Sequence, residues 1–120
     1  MRATNLHEFS PGSVVVGVSY DCENLIVTFS SGPTVTFPDA VGFRVLDEGD
    51  LLEFWPACSS PSGAGVFEVH EGGWLNQEGM RNGFVSAVSR PSLREFLITG
   101  QHDCVGVFAF EPPKVADDCV

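Results

Sequence analysis

Residues 13–37 read Ser13-Val14-Val15-Val16-Gly17-Val18-Ser19-Tyr20-Asp21-Cys22-Glu23-Asn24-Leu25-Ile26-Val27-Thr28-Phe29-Ser30-Ser31-Gly32-Pro33-Thr34-Val35-Thr36-Phe37. This stretch decides the fold. Ser13 to Tyr20 is rich in Val, lacks a helical period and carries a central Gly, which reads as a strand. Asp21-Cys22-Glu23-Asn24 supplies turn chemistry. Leu25 to Phe29 is a second strand, Ser30-Ser31-Gly32-Pro33 a second turn, and Thr34 to Phe37 a third strand. Three short strands with tight connections predict an antiparallel meander, with Phe29 and Phe37 on its core face.

Working outward, Pro38-Asp39-Ala40 breaks the pattern. Val41 to Leu46 is a fourth strand or the approach to a helix. Asp47-Glu48-Gly49-Asp50-Leu51-Leu52-Glu53-Phe54-Trp55 then predicts a short helix over 47–55. Asp47 would be its N-cap, acids would complement the dipole in the first turn, and Leu51, Leu52 and Trp55 fall at helical spacing before Pro56. Ala57 to Gly65 is a loop by composition. Val66 to Glu71 alternates like a half-exposed strand, Gly72-Gly73-Trp74 is a tight turn, and Leu75 to Asn82 has no clear period. Phe84 to Val88 is a weak strand. Arg94 to Thr99 and Cys104 to Phe110 form a hairpin about Gly100–Asp103. Lys114 to Val120 reads as a frayed tail within a terminal segment, 111–120. The sum is one α+β domain over residues 1–120, mainly antiparallel, with six to eight short strands and one short helix.

Charge carries most of the functional information. The chain has 16 Asp plus Glu against 6 Lys plus Arg, a net charge of −10 on 120 residues. Nucleic-acid phosphates repel such a surface, whereas phosphate-binding proteins attract it. The plainer reading is that acidity serves solubility alone. The N-terminus, Met1-Arg2-Ala3-Thr4-Asn5-Leu6-His7-Glu8, has no apolar h-region, and no apolar run is long enough to span a bilayer, so the expectation is a cytoplasmic chain without membrane contact. Cys22, Cys58, Cys104 and Cys119 match no zinc signature and are expected as reduced thiols.

No P-loop, serine-nucleophile elbow or H-x-x-x-H spacing occurs. A zinc site from His70, His102 and a cysteine lacks the usual local ligand pairs. His102 and Cys104 would share a face if their strand began early, which raises a Cys/His nucleophile, but Cys104 opens an apolar run that suits a core cysteine. The expectation is no catalysis, no cofactor and no metal. The carboxylates of Asp47, Glu48, Asp50 and Glu53, read as a solvated helix face, also make a docking patch. Asp50 and Glu53 share one face, where a partner's Lys or Arg would relieve their repulsion. Trp55 and Trp74, each more commonly core, would be its aromatic anchors, with Glu71 beside them.

Three stretches together, Gly42-Phe43-Arg44-Val45-Leu46-Asp47-Glu48-Gly49-Asp50-Leu51-Leu52-Glu53-Phe54-Trp55, Glu71-Gly72-Gly73-Trp74-Leu75, and Arg94-Glu95-Phe96-Leu97-Ile98-Thr99 followed by Asp103-Cys104-Val105-Gly106-Val107, resemble small bacterial proteins of polymorphic-toxin and contact-dependent competition loci. The resemblance implies an immunity protein: cytosolic, acidic, and bound to the toxin domain of its own lineage. It implies a toxin with a basic cleft acting on nucleic acids or nucleotides, and an inhibitor that mimics phosphate with carboxylates. It assigns no role to any single residue. The alternatives are an acidic interaction module with an unrelated partner, and a small Cys/His enzyme. Oligomeric state is open; Val66 to Glu71, if an edge strand, would pair across a two-fold axis.

Overall fold

The computed structural model describes residues 2–47, 63–71, 73–75 and 93–116. Among the described residues nine strands form two antiparallel sheets. They are β1 (Arg2–Glu8), β2 (Val15–Tyr20), β3 (Asn24–Phe29), β4 (Thr34–Pro38), β5 (Gly42–Asp47), β6 (Gly65–Glu71), β7 (Arg94–Thr99), β8 (Asp103–Ala109) and β9 (Lys114–Ala116). One sheet has the order β1-β6-β7-β8-β5 and the other β2-β3-β4-β9. The first is called sheet A below and the second sheet B.

The expected meander is the heart of sheet B. Leu25, Val27 and Phe29 on β3 alternate with half-buried Ile26 and Thr28, and Val35 and Phe37 do the same on β4. Leu25 pairs with Phe37 and Val27 with Val35, so one face of the meander is wholly apolar. A period of two with one buried face fixes the register, because a one-residue slip would turn every core side chain to water. The turn at Asp21 is held by its own carboxylate, which accepts the N–H of Glu23 at 3.0 Å and of Asn24 at 2.7 Å. Cys22, at the corner, has φ of 75°. The other turn is closed by Phe29 and Pro33, and Gly32 takes φ of 111° there.

The apolar face of sheet B packs on Val66, Phe96, Ile98, Val105, Val107 and Ala109 of sheet A. Phe37 and Phe96 meet across the interface with centroids 5.4 Å apart. Sheet A is buried on both faces: Phe67, Val69, Leu97 and Cys104 form a second cluster on its outer side, with Ala3 and Leu46 against it. That explains why Phe96–Ile98 and Cys104–Ala109 read as apolar runs without alternation. A strand covered on both sides has no polar face to alternate with.

Several expectations change. The mainly antiparallel architecture stands. Asp47 ends β5 in register with Asp103, and the helix expected to follow it, with the rest of its span, 48–55, lies outside the described residues, as does the weak strand 84–88. Among the described residues helical backbone occurs only at Trp74 and Leu75. Val66–Glu71 is not an edge strand, since β6 lies between β1 and β7. It is also not simply half-exposed, because Val66 and Phe67 are both buried. Its outer neighbour is the N-terminal strand β1, which polar, aperiodic Arg2–Glu8 gave no reason to expect. Lys114–Ala116, read as tail, instead adds to β4.

Candidate functional site

The expected acidic–aromatic patch does not gather in one place among the described residues. Asp47 ends β5 and Glu71 ends β6, opposite Arg2. The register puts these strand ends at opposite rims of sheet A, separated by β7 and β8 and by about 20 Å along the strands. Glu48, Asp50, Glu53 and Trp55 lie outside the described residues.

Trp74 sits on the outer face of sheet A, half-buried. Its ring stacks on Phe108 with centroids 4.0 Å apart and 26° between planes. The Arg44 guanidinium lies over the same ring, 4.5 Å from its centroid. Gly106 makes the seat, since a Cβ there would come within 3.3 Å of Trp74 Cε3. The turn that delivers Trp74 is pinned by Glu95, which is buried at 5% exposure. Its carboxylate accepts the N–H of Trp74 at 3.0 Å and of Leu75 at 2.8 Å. Burial pushes the Glu95 carboxyl above its ordinary range, opposed by those two N–H groups and by Arg44. Gly73 is required at this turn, because a Cβ would fall 2.7 Å from Val69 Cγ1 and within 2.9 Å of both Glu95 oxygens. The Gly-Gly-Trp motif is therefore a backbone fitting to a buried acid, with the indole laid flat on the sheet.

Elsewhere the fold concentrates charge at one end. The β2–β3 turn bears Asp21 and Glu23, and the β4–β5 crossover bears Asp39; all three are exposed. Asn24 pairs with Pro38, which brings turn and crossover side by side. The Asp21 carboxyl is held below its ordinary range by the N–H groups of Asn24 and Glu23, so it is ionised. The β8–β9 crossover carries exposed Glu111 over the same end of the sandwich. Two of the chain's cations, Arg94 and Arg44, are engaged within the fold. Arg94 donates from Nε and Nη2 to the two oxygens of Glu68, at 2.7 and 2.8 Å, and this pairing holds the Glu68 carboxyl below its ordinary range. Arg44 lies on Trp74. Each of these cations faces an acid within the fold, Arg94 with Glu68 and Arg44 with Glu95, so the net charge of −10 is carried by the remaining residues.

Cys104 is 1% exposed and belongs to the cluster with Phe67, Val69 and Leu97. His102 lies in the exposed turn ahead of β8, which starts at Asp103, so the two do not share a strand face. His70 Nε2 is 2.7 Å from Thr4 Oγ1 across β1 and β6. Among the described residues no three His, Cys, Asp or Glu side chains gather as a metal site needs, and no helix is long and apolar enough to cross a membrane.

Sequence reasoning passed over Glu95, Arg44, Tyr20, Asp21, Glu23 and Asp39. One signal was present for Glu95: it is the acid inside the otherwise apolar strand Arg94–Thr99, where an ionisable group needs a dedicated partner. The chain matches no protein-family model, no curated protein and no solved structure.

Proposed function

We propose that this chain is an immunity-type protein that binds and neutralises a cognate bacterial toxin domain, its acidic surface covering a basic cleft that acts on nucleic acids or nucleotides. The observation that carries the reading is the net charge of −10, with the exposed carboxylates of Asp21, Glu23 and Asp39 brought side by side at one end of the sandwich. A carboxylate surface of this kind stands in for substrate phosphates and steers a basic partner in. Neutralisation needs only a rigid surface. The acids of the β2–β3 turn and β4–β5 crossover sit on a packed sandwich, which preorganises them. The acidic run Glu48–Trp55, read as a short helix beyond β5, adds a second charged element to the same protein.

The test is co-expression with the toxin domain encoded beside this gene, followed by isolation of the complex. The expected outcome is rescue of growth and a one-to-one complex whose association rate falls steeply with ionic strength. Growth arrest unrelieved by this chain sinks the reading.

A further inference from the structure

Among the described residues four large apolar side chains are exposed: Leu6 at 41%, Val16 at 62%, Tyr20 at 42% and Val45 at 49%. Two of them follow from local backbone irregularity. Leu6 falls at the register shift between Asn5 and His7, and Val16 at the shift between Val15 and Gly17. An extra residue at a bulge has no place in the ladder and turns outward.

Tyr20 and Val45 are different, because they point inward. Tyr20 is in phase with Val18, and Val45 with Phe43; both Val18 and Phe43 pack on the core between the sheets. Tyr20 pairs with buried Leu25, and Val45 with buried Val105. Their side chains therefore aim into the sandwich, yet about half of each remains in water. β2 ends sheet B and β5 ends sheet A on the same side, as the Tyr20–Phe43 ring contact at 5.4 Å shows. Along that side the sheets do not close, and Val18, Tyr20, Phe43 and Val45 line an open apolar seam.

The charge around the seam is of one sign. At one end stand Asp21 and Glu23 beside Tyr20, and Asp39 next to Ala40, whose carbonyl the Tyr20 hydroxyl reaches at 3.5 Å. Arg44, the sole cation on β2 or β5, belongs to the opposite face of sheet A, over Trp74. The seam thus presents a short apolar centre, roughly 7 Å along each strand, with an acidic end beside Tyr20.

We propose that the β2–β5 seam is the docking surface, and that it takes a segment of the partner protein with apolar side chains beside Lys or Arg that meet Asp21, Glu23 and Asp39. This rests on the toxin-binding reading above and specifies the surface used. A second copy of this chain fits poorly, since each copy carries a net charge of −10.

The first probe is a synthetic peptide with a Val-Leu-Phe-Val centre flanked by lysine pairs, followed by backbone amide shifts of the whole protein. A Glu-flanked peptide and one with a Ser-Gly centre are the controls. The expected result is perturbation confined to residues around Val18, Tyr20, Phe43 and Val45, weak with either control and lost in Val45→Arg. Tyr20→Ser should weaken it too, whereas Val16→Arg, at a still more exposed position but on the bulge, should not. Perturbation elsewhere, equal binding of the Glu-flanked peptide, or insensitivity to Val45→Arg overturns the proposal. So does a dimer, seen by sedimentation, that Val45→Arg dissolves. The second arm uses the adjacent toxin domain, against which Val45→Arg should weaken affinity by about tenfold or more. Equal affinity for the toxin domain refutes the seam and leaves the toxin-binding reading standing. Peptide binding at the seam with no toxin binding refutes that reading and leaves the seam.

Discussion

Glu95 illustrates how much a single residue decides. A carboxyl group at 5% exposure is costly when ionised, and two backbone N–H bonds together with Arg44 only partly offset that cost. Its value in the folded state is raised above the ordinary 4.5. A raised carboxyl contributes stability that is complete below the unfolded value and lost as pH climbs through the folded one. Glu95→Gln does not titrate, so the stability of the natural protein relative to this variant should fall as pH rises from about 4.5. Urea midpoints of both proteins between mildly acidic and neutral pH would measure it; a difference that stays flat with pH refutes the account. Glu95 was hard to recognise in sequence because its partners are backbone groups of Trp74 and Leu75, remote along the chain and invisible to any side-chain pattern. The same holds for Trp74, where the sequence marks an aromatic after two glycines but not that the ring lies on Phe108 under Arg44.

At the scale of elements, alternation and its failures explain what could be read. β3 and β4 have one buried face each, so the period of two in Leu25-Ile26-Val27-Thr28-Phe29 is plain, and the meander follows from the chain itself. β7 and β8 are covered on both faces, yet their apolar runs and the Gly100 turn still identify a hairpin. β1 was illegible: Arg2–Glu8 is mostly exposed and joins sheet A through backbone pairing with β6, which leaves little hydrophobic trace. β9 is short for the same reason. Asp47 marks the end of β5, and an acid after an apolar run suits a strand end as well as a helix start. These contrasts set a mutational expectation. Leu25→Ala, in the centre of the buried face, should cost about 2–5 kcal/mol. Val16→Ala, at a bulge and more exposed than any other large apolar residue described, should change stability by no more than about 0.5 kcal/mol. Denaturant unfolding of the two variants tests the distinction, and comparable losses would contradict the register at Val15–Gly17.

The whole molecule is laced together from both ends of its sequence. β1 supplies an edge to sheet A although sheet B follows it, and β9 completes sheet B after sheet A is built. Both β4–β5 and β8–β9 cross from one sheet to the other at the same end, which is why the acids on those connections congregate there while composition alone gives only their number. Neither sheet is made from one contiguous stretch, so neither has a complete set of strands in the absence of the other. Unfolding should therefore be all-or-none, with tryptophan fluorescence and far-ultraviolet circular dichroism tracing one coincident transition in urea. Two separated transitions would show that a sheet survives alone.

The paired bulges at Leu6 and Val16 have a consequence of a different kind. They fall on β1 and β2, terminal strands of sheet A and sheet B respectively. A straight terminal strand offers a template on which another chain can extend the ladder, and an extra residue that kinks the strand spoils that template. Each sheet thus carries an irregular terminal strand that discourages runaway stacking of copies, which matters for a Phe-rich chain whose apolar strands lie uncovered until its last strands are in place.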